Sequence, residues 1–116
     1  MNIYHAFVSL KPGTSDTAFA DALATYLDAL KADGKLAGWR LMRRKLGLGS
    51  ADLGEFHIMM EVENLAQLDD AFSLVASRAG TVEAQHHGVN SMVASASFAL
   101  YRDFPDPVRK RGEEKF

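Results

Sequence analysis

Histidine is the residue type through which this chain could carry out acid–base chemistry. The sequence holds four histidines and no cysteine, so proton transfer near neutral pH would fall mainly to imidazole rings. His5 and His57 lie in two segments with strand-like alternation, and on neighbouring strands their side chains could share one face. An imidazole in a partly apolar cavity can take or give a proton near pH 7. We therefore take this pair as the first catalytic candidates, with a hydrogen-bonded interior or interface pair as the alternative.

The predicted strands also hold residue types that could bind a metal ion or act as a nucleophile, but the sequence motifs for these functions are absent. Ligands for a metal ion could come from four of them (His5, Glu55, His57 and Glu61), but the chain has neither an HExxH nor an HxH motif. We predict no metal site and no cofactor. Ser95 and Ser97 could hydrogen-bond a ligand, but no GxSxG motif surrounds them, so a serine nucleophile is not expected.

Size and composition narrow the class of protein. With 116 residues, 13 basic against 15 acidic side chains and a net charge of -2, the chain is one domain without the positive charge of a nucleic-acid binder. It has no apolar run of the roughly 18 residues that a membrane span requires. The absence of cysteine excludes disulfides and cysteine-ligated metals. We expect a cytoplasmic protein without a secretory signal and with neither a nucleic-acid nor a membrane partner.

Hydrophobic periodicity predicts the elements that carry these residues. Alternation predicts strands, and apolar residues three and four apart predict helices. The predicted order is strand 2–10, helix 14–32, strand 36–46, strand 55–62, helix 64–80 and strand 91–101, with a short helical turn or loop at 81–90. This is the ferredoxin-like β-α-β-β-α-β arrangement, an α+β fold whose antiparallel sheet has the strand order 4-1-3-2. We expect residues 1–101 to form this domain and residues 102–116 to form a charged tail.

Two helices can cover only one face of such a sheet, and the other face is too apolar to meet water. Alternation places five apolar residues on it (Ile3, Phe7, Met59, Val93 and Ala99). We therefore predict a symmetric homodimer that packs sheet against sheet and encloses a cavity for a small organic ligand. Candidate ligand-binding residues are aromatic, polar or adaptable side chains (Phe7, Tyr26, Trp39, Met59, Ser95 and Ser97). For Tyr26 and Trp39, packing in the core is the alternative.

Four short segments of the chain resemble the dimeric α/β-barrel superfamily, and in particular its stress-responsive branch, which includes plant olivetolic acid cyclase. The segments are 4–8 (YHAFV), 38–39 (GW), 55–58 (EFHI) and 86–89 (HHGV), within a resemblance that covers residues 1–101. The resemblance implies a homodimeric α/β barrel, and it implies a pocket or catalytic role for His5 and His57. The superfamily hosts several chemistries, so its fold does not assign a reaction.

The resemblance also points to a histidine before the last strand. In the cyclase, that histidine pairs with a tyrosine a few residues upstream. His86 and His87 both lie near this position, and we choose His87 as the third catalytic candidate. The chain has no tyrosine between Tyr26 and Tyr101, so it departs from the cyclase pattern at the partner position. The alternative is a solvated loop without chemistry.

The second strand carries a basic run, and a glycine-rich segment follows it. Arg40, Arg43, Arg44 and Lys45 lie on an edge of the predicted sheet, where charges discourage edge-to-edge pairing. The alternative is an anion clamp at the mouth of the cavity. We interpret residues 47–54 as a flexible hairpin lid, because a strand and not a helix follows them and a phosphate loop needs the helix N-terminus.

Two functions follow from these observations. The first is a small dimeric enzyme that acts on a hydrophobic or polyketide-like molecule, with His5 and His57 as proton-transfer or hydrogen-bonding residues and His87 in support. The second is a dimeric module without catalysis that binds a small ligand or fills its cavity with side chains. The enzyme requires His5 and His57 to lie within hydrogen-bonding reach of one open pocket.

Overall fold

The structure, a computed structural model, describes residues 1–77 and 80–108. Its elements are β1 (Asn2–Leu10), α1 (Asp16–Ala32), β2 (Gly38–Arg43), β3 (Phe56–Val62), α2 (Leu65–Ala76), α3 (Gly80–Asn90) and β4 (Val93–Arg102). The predicted order of the four strands and two long helices is confirmed. Most of the predicted tail, residues 109–116, lies outside the described residues. Within the described ranges, no helix is both long and apolar enough to cross a membrane.

The first helix forms where a capping serine precedes an apolar stripe. The Ser15 hydroxyl accepts a hydrogen bond from the backbone N–H three residues further on (3.2 Å), and Asp16 places a negative charge in the first turn. The helix ends before Gly34, whose φ of 74° suits a residue without a side chain. Four side chains of the stripe are buried in the core (Phe19, Leu23, Leu27 and Leu30).

The sheet is antiparallel with the order β2-β3-β1-β4, which confirms the predicted order. Ala6 in β1 lies opposite Ile58 in β3 and Phe98 in β4, and residues directly opposite one another share a face. One face packs against the helices and is buried over its centre (Ala6, Val8, Phe56, Ile58 and Val62). The core therefore lies between this face and the helices.

The opposite face of the sheet, which we call the open face, is covered by no element in the described part of the chain. His5 and Met59 form one pair of neighbours on it, and Phe7 and His57 form the next. Charged side chains lie towards its β2 and β3 margin, including Arg40 opposite Met59. The open face is thus apolar and imidazole-rich at its centre.

The third helix corrects the prediction of a turn or loop for residues 81–90. These residues belong to the 11-residue helix α3. Val82 and Val89 lie two turns apart on one side of it, and both pack against the core. The remaining residues of the segment are mostly polar or small, so the sequence shows only a narrow apolar stripe.

The position of Val93 also corrects a prediction, since alternation along the strand had placed this residue on the open face. The register between β1 and β4 shifts at Ser9 and Leu10, so Leu10 pairs with Val93. This irregularity brings Val93 to the helix-facing side, where it packs against the core. Strict alternation along β4 places Val93 on the open face. In the structure, β4 has one extra residue at the register shift, and this reverses the face to which the residues before it point.

Candidate functional site

A cavity of about 260 Å³ lies between the helix-facing side of the sheet and the helices. Its walls are mainly apolar and come from both layers. β1 contributes Ala6 and Val8, and α1 contributes Leu23, Leu27 and Leu30. The mouth includes Phe72 and Phe98, which are 47% and 60% exposed although both are large apolar side chains. It is larger than the cleft of about 180 Å³ beside the hairpin, which is described below.

The polar side chains of the cavity include Tyr4, Tyr26 and His86. Tyr26 comes from α1 and His86 from α3, and their ring centroids are 5.5 Å apart with the planes tilted by 48°. Tyr4 comes from β1, where its ring stacks on Phe98 (5.6 Å between centroids). Three different elements therefore deliver hydrogen-bonding groups to one apolar space.

The phenol of Tyr26 is held in its protonated form. Burial, with the charge of Glu83 and the proximity of Tyr4 as smaller causes, raises the pKa of Tyr26 to about 12. Burial also raises the pKa of Tyr4. At neutral pH both hydroxyls can therefore donate a hydrogen bond to an oxygen atom in the cavity.

Tyr26 supplies a tyrosine beside His86, although the sequence has none shortly before the two adjacent histidines. Although no tyrosine lies between Tyr26 and Tyr101 in the sequence, α1 brings Tyr26 against α3. A tyrosine–histidine pair is thus assembled from two distant parts of the chain. The contact could not be read from the local spacing of residues, because it depends on how the two helices pack.

His86, and not the predicted His87, is the histidine that lines the cavity. His86 is half-buried, whereas His87 is exposed on α3. Adjacent residues on a helix point about 100° apart, so only one of them can face the cavity. The core-facing Val82 and Val89 lie four residues before and three residues after His86, which places His86 on their side.

His5 and His57 form a direct hydrogen bond on the open face. The distance from His5 Nδ1 to His57 Nε2 is 2.8 Å. The Phe7 ring stacks on His57 (4.3 Å between centroids), and the Tyr101 ring meets His5 edge-on (5.0 Å). Burial and the neighbouring His5 lower the pKa of His57, so its neutral form is favoured. The predicted proximity of these two histidines is therefore present in the structure.

The histidine pair and the cavity lie on opposite faces of the sheet. His5 and His57 are absent from the cavity walls, while Tyr4 and Ala6, the neighbours of His5 in β1, belong to them. The two groups of polar residues cannot act on one small molecule, because the sheet separates them. The sequence suggested one site that combines His5, His57 and an α3 histidine, and the fold divides these residues between two places.

His57 also borders a smaller cleft of about 180 Å³ under the hairpin between β2 and β3. Arg44 ties this hairpin together by donating hydrogen bonds to the backbone carbonyls of Ser50 and Leu53. At Gly54 the chain passes so close to β1 that a Cβ atom would lie 2.5 Å from the Val8 backbone. The hairpin is thus folded back onto the sheet rather than extended from it.

The other predicted ligand-binding residues divide between the two faces. Phe7 and Met59 lie at the centre of the open face, and Ser95 and Ser97 are exposed along β4. Trp39 packs against the core from the helix-facing side, and its indole N–H donates to Asp28 Oδ1 (2.7 Å). Trp39 is not part of the cavity wall, whereas Tyr26 is.

The charged residues of the second strand are engaged in part. Arg43 bridges Asp16 (3.0 Å) and Glu55 (2.9 Å), and all three side chains are about half exposed. These contacts tie the β2 edge to α1 and to β3. Across the described ranges, no group of three or more His, Asp or Glu side chains is arranged to hold a metal ion.

Two of the cavity's polar residues, Tyr4 and His86, were not among the predicted site residues. Tyr4 carries a signal that could have found it, because it shares the helix-facing parity of β1 with Ala6 and Val8. For His86 the signal is its helical spacing from Val82 and Val89, which becomes informative only once the segment is taken as a helix.

Comparison with known proteins gives one family and a set of structural neighbours. A model of a family of unknown function, DUF6614, matches residues 1–116. No curated protein matches the chain.

Three solved structures illustrate the similarity of fold. A protein from Arabidopsis thaliana is 10% identical, with a TM-score of 0.70 over 89% of this chain and 95% of that one. Hydroxynitrile lyase from Passiflora edulis is 13% identical, with a TM-score of 0.69 over 91% and 96%. A dimeric ferredoxin-like protein of unknown function from Jannaschia is 12% identical, with a TM-score of 0.64 over 89% and 100%. At these identities the similarity shows the ferredoxin-like fold alone.

Proposed function

The chain belongs to the DUF6614 family of unknown function, and from that starting point we propose that it is a homodimer that binds a small, mainly apolar organic molecule between its sheet and its helices. The observation that carries the proposal is the cavity of about 260 Å³, whose apolar walls surround the Tyr26–His86 pair. Most binding sites for small molecules combine a concave apolar surface with a few polar groups that fix orientation.

The polar pair gives the cavity a means of proton transfer. A ligand oxygen beside Tyr26 would accept a hydrogen bond from the protonated phenol. The imidazole of His86, in ring contact with Tyr26, would then take or give a proton at the same end of the ligand. The apolar walls exclude water and strengthen both interactions. We propose general acid–base catalysis on this geometry, with binding alone as the outcome if no turnover is found.

The homodimer is supported by the open face. Ile3, Phe7 and Met59 lie on it, part-exposed, and the hairpin borders only Phe7 among them. A second copy would remove the rest of their apolar surface from water. The structural neighbour from Jannaschia is described as dimeric. The resemblance to the stress-responsive branch of the dimeric α/β-barrel superfamily also favours this assembly. His5 and His57 would then be a hydrogen-bonded pair inside the interface, rather than residues of the ligand site.

A second candidate function places acid–base chemistry at His5 and His57. It is favoured by their 2.8 Å hydrogen bond and by the cleft that reaches His57 from the hairpin. In this alternative the Ser95 and Ser97 hydroxyls, on the same face, would contribute hydrogen bonds. His87 is assigned to neither site, because it is exposed on α3 and is not part of the cavity wall.

Filling the cavity tests the proposal. Ala71 in α2 is buried in the cavity wall, so Ala71→Leu would occupy ligand space. Ala66→Leu, at an exposed position of the same helix outside the wall, is the matched control. Binding would be followed by the fluorescence of N-phenyl-1-naphthylamine, an uncharged apolar dye, and folding by circular dichroism.

We expect the native chain and Ala66→Leu to bind the dye. Ala71→Leu should remain folded but lose most of the binding. Equal binding by all three proteins would place the dye elsewhere and contradict the proposal. If binding is instead lost in His57→Phe, the second candidate function is the correct one. Absence of binding by the native chain would overturn both.

A further inference from the structure

The charge distribution around the cavity restricts what can enter it. Among the described residues, no lysine, arginine, aspartate or glutamate is part of the cavity wall. A carboxylate or phosphate that entered would lose its hydration without gaining a lysine or arginine partner, which is unfavourable, and among the wall residues only His86 can carry a positive charge. The basic residues of β2 do not change this, because Arg43 is paired with Asp16 and Glu55 and Arg40 lies on the open face opposite Met59.

Negative charge is also disfavoured at the polar end of the cavity. Burial is the main cause of the raised pKa of Tyr26, and the negative charge of Glu83 in α3 is the next cause. An anionic group on a ligand beside Tyr26 would meet the same repulsion. A neutral oxygen would instead find two protonated phenols, Tyr26 and Tyr4, as hydrogen-bond donors.

The rest of the wall determines the shape and polarity of the remainder of the ligand. Aromatic and aliphatic side chains from both the sheet and the helices face it, with Phe72 and Phe98 at the mouth. A cavity of about 150 Å³ lined by such residues accommodates one benzene ring. The volume of about 260 Å³ therefore suits a molecule of one to two rings.

We infer that the cavity selects an uncharged compound of one to two rings that carries a single hydroxyl or carbonyl oxygen, and that it discriminates against the carboxylate of the same skeleton. This inference rests on the proposed function and adds the class of ligand. The oxygen would lie at Tyr26 and His86, and the ring system would lie against the apolar wall below Phe98.

Three naphthalene compounds of the same skeleton separate the contributions of charge and of the oxygen atom. They are naphthalene, 2-acetylnaphthalene, which has a neutral carbonyl, and 2-naphthoate, which is anionic at pH 7.5. Titration calorimetry on the full chain would give the three dissociation constants. We expect 2-naphthoate to bind at least about tenfold more weakly than 2-acetylnaphthalene, because no lysine or arginine in the wall offsets the loss of hydration of its charge. A smaller difference, or the reverse order, overturns the inference.

Removing one hydroxyl tests whether the carbonyl is recognised where we place it. Tyr26→Phe should weaken 2-acetylnaphthalene binding by about threefold to tenfold, the usual effect of one hydrogen bond, and should leave naphthalene unchanged. Tyr101→Phe, on the open face, should affect neither compound. Equal loss of both compounds in Tyr26→Phe would show a packing defect and contradict the assignment.

The same titrations distinguish this inference from the proposed function. If no compound binds the native chain, the cavity is not a ligand site and both fail. If 2-naphthoate binds as well as the ketone and Ala71→Leu abolishes that binding, the cavity is a ligand site but the inferred class is wrong.

Discussion

The hydrogen bond between His5 and His57 limits how many protons the two rings can hold. A distance of 2.8 Å between Nδ1 and Nε2 requires one nitrogen to donate and the other to accept. If both rings are fully protonated, no acceptor remains and two positive charges face each other. Of the acidic groups around this pair, Glu61 lies in β3 and Glu55, just before β3, is already paired with Arg43, while Arg40 in β2 adds positive charge. Acid should therefore weaken this part of the molecule.

The lowered pKa of His57 fixes the direction of the pH dependence. The unfolded chain binds a proton at His57 at higher pH than the folded chain does, so folded-state stability is complete above about pH 6.5 and declines as the pH falls below it. We expect urea unfolding at pH 7.5 and 5.0 to show this loss in the native chain. His57→Phe keeps a ring against Phe7. Between pH 7.5 and 5.0, its free energy of unfolding should fall less than that of the native chain, and the difference should be below about 1 kcal/mol because His57 is partly exposed. An equal or greater loss in His57→Phe would contradict the assignment.

The two adjacent histidines of α3 offer a matched pair of substitutions. His86→Ala removes a side chain from the cavity wall, whereas His87→Ala removes an exposed one from the same turn. We expect His86→Ala to weaken 2-acetylnaphthalene binding by about threefold to tenfold and His87→Ala to leave it unchanged. Dissociation constants from calorimetry would check this. A larger effect for His87→Ala would show that His87, as predicted from the sequence, and not His86 is the histidine that contributes to the site.

At the scale of elements, Gly54 and Gly88 differ in how much space is available for a Cβ atom. Gly54→Ala would place a Cβ atom 2.5 Å from the Val8 backbone, which cannot move without disturbing β1. Gly88 lies inside α3, and a Cβ atom added to it would have nothing within 4 Å, so alanine there would meet open space. The first glycine is needed for close packing, and the second only lowers the stability of its helix.

We expect Gly54→Ala to lower the free energy of unfolding by about 1–3 kcal/mol and Gly88→Ala to raise it by about 0.5–1 kcal/mol. Chemical denaturation of the two variants beside the native chain would measure both changes. A Gly54→Ala variant of native stability would mean that the hairpin does not lie against β1 as described.

The sequence predicted those elements whose apolar residues repeat with one clear period. The stripe of α1 and the alternation of β1 and β3 are of this kind, and so the sheet order and the shared face of His5 and His57 could be anticipated, although their hydrogen bond could not. α3 was missed because only Val82 and Val89 mark its buried side. The face of Val93 was missed because the register shift at Ser9 and Leu10 depends on pairing with β1, which a single strand does not reveal.

The location of the candidate site could not be predicted, because it depends on packing between helices. Tyr26 and His86 are 60 residues apart and meet only when α1 and α3 lie side by side. His5 and His57 belong to the sheet that forms one wall of the cavity, but they face away from it. Strand alternation therefore indicated that the two histidines share a face, but it did not indicate that the cavity lies on the other face.

At the scale of the whole molecule, the open face should control assembly. Phe7→Asp or Met59→Asp would place an unpaired charge at the centre of the proposed sheet-to-sheet interface. We expect either variant to be a monomer at micromolar concentration where the native chain is a dimer, as measured by sedimentation equilibrium. Leu46→Asp, at a position that is 83% exposed in the hairpin, should remain dimeric. Unchanged assembly in both interface variants would show that the chains associate through another surface.

The cavity is the central claim, and a crystal structure of the full chain with 2-acetylnaphthalene tests it most directly. We predict electron density for the ligand between the sheet and the helices, with its carbonyl oxygen within hydrogen-bonding distance of the Tyr26 hydroxyl and its rings against the apolar wall. Density for the ligand beside His57 on the open face, or a cavity closed by the protein's own side chains, would contradict the account.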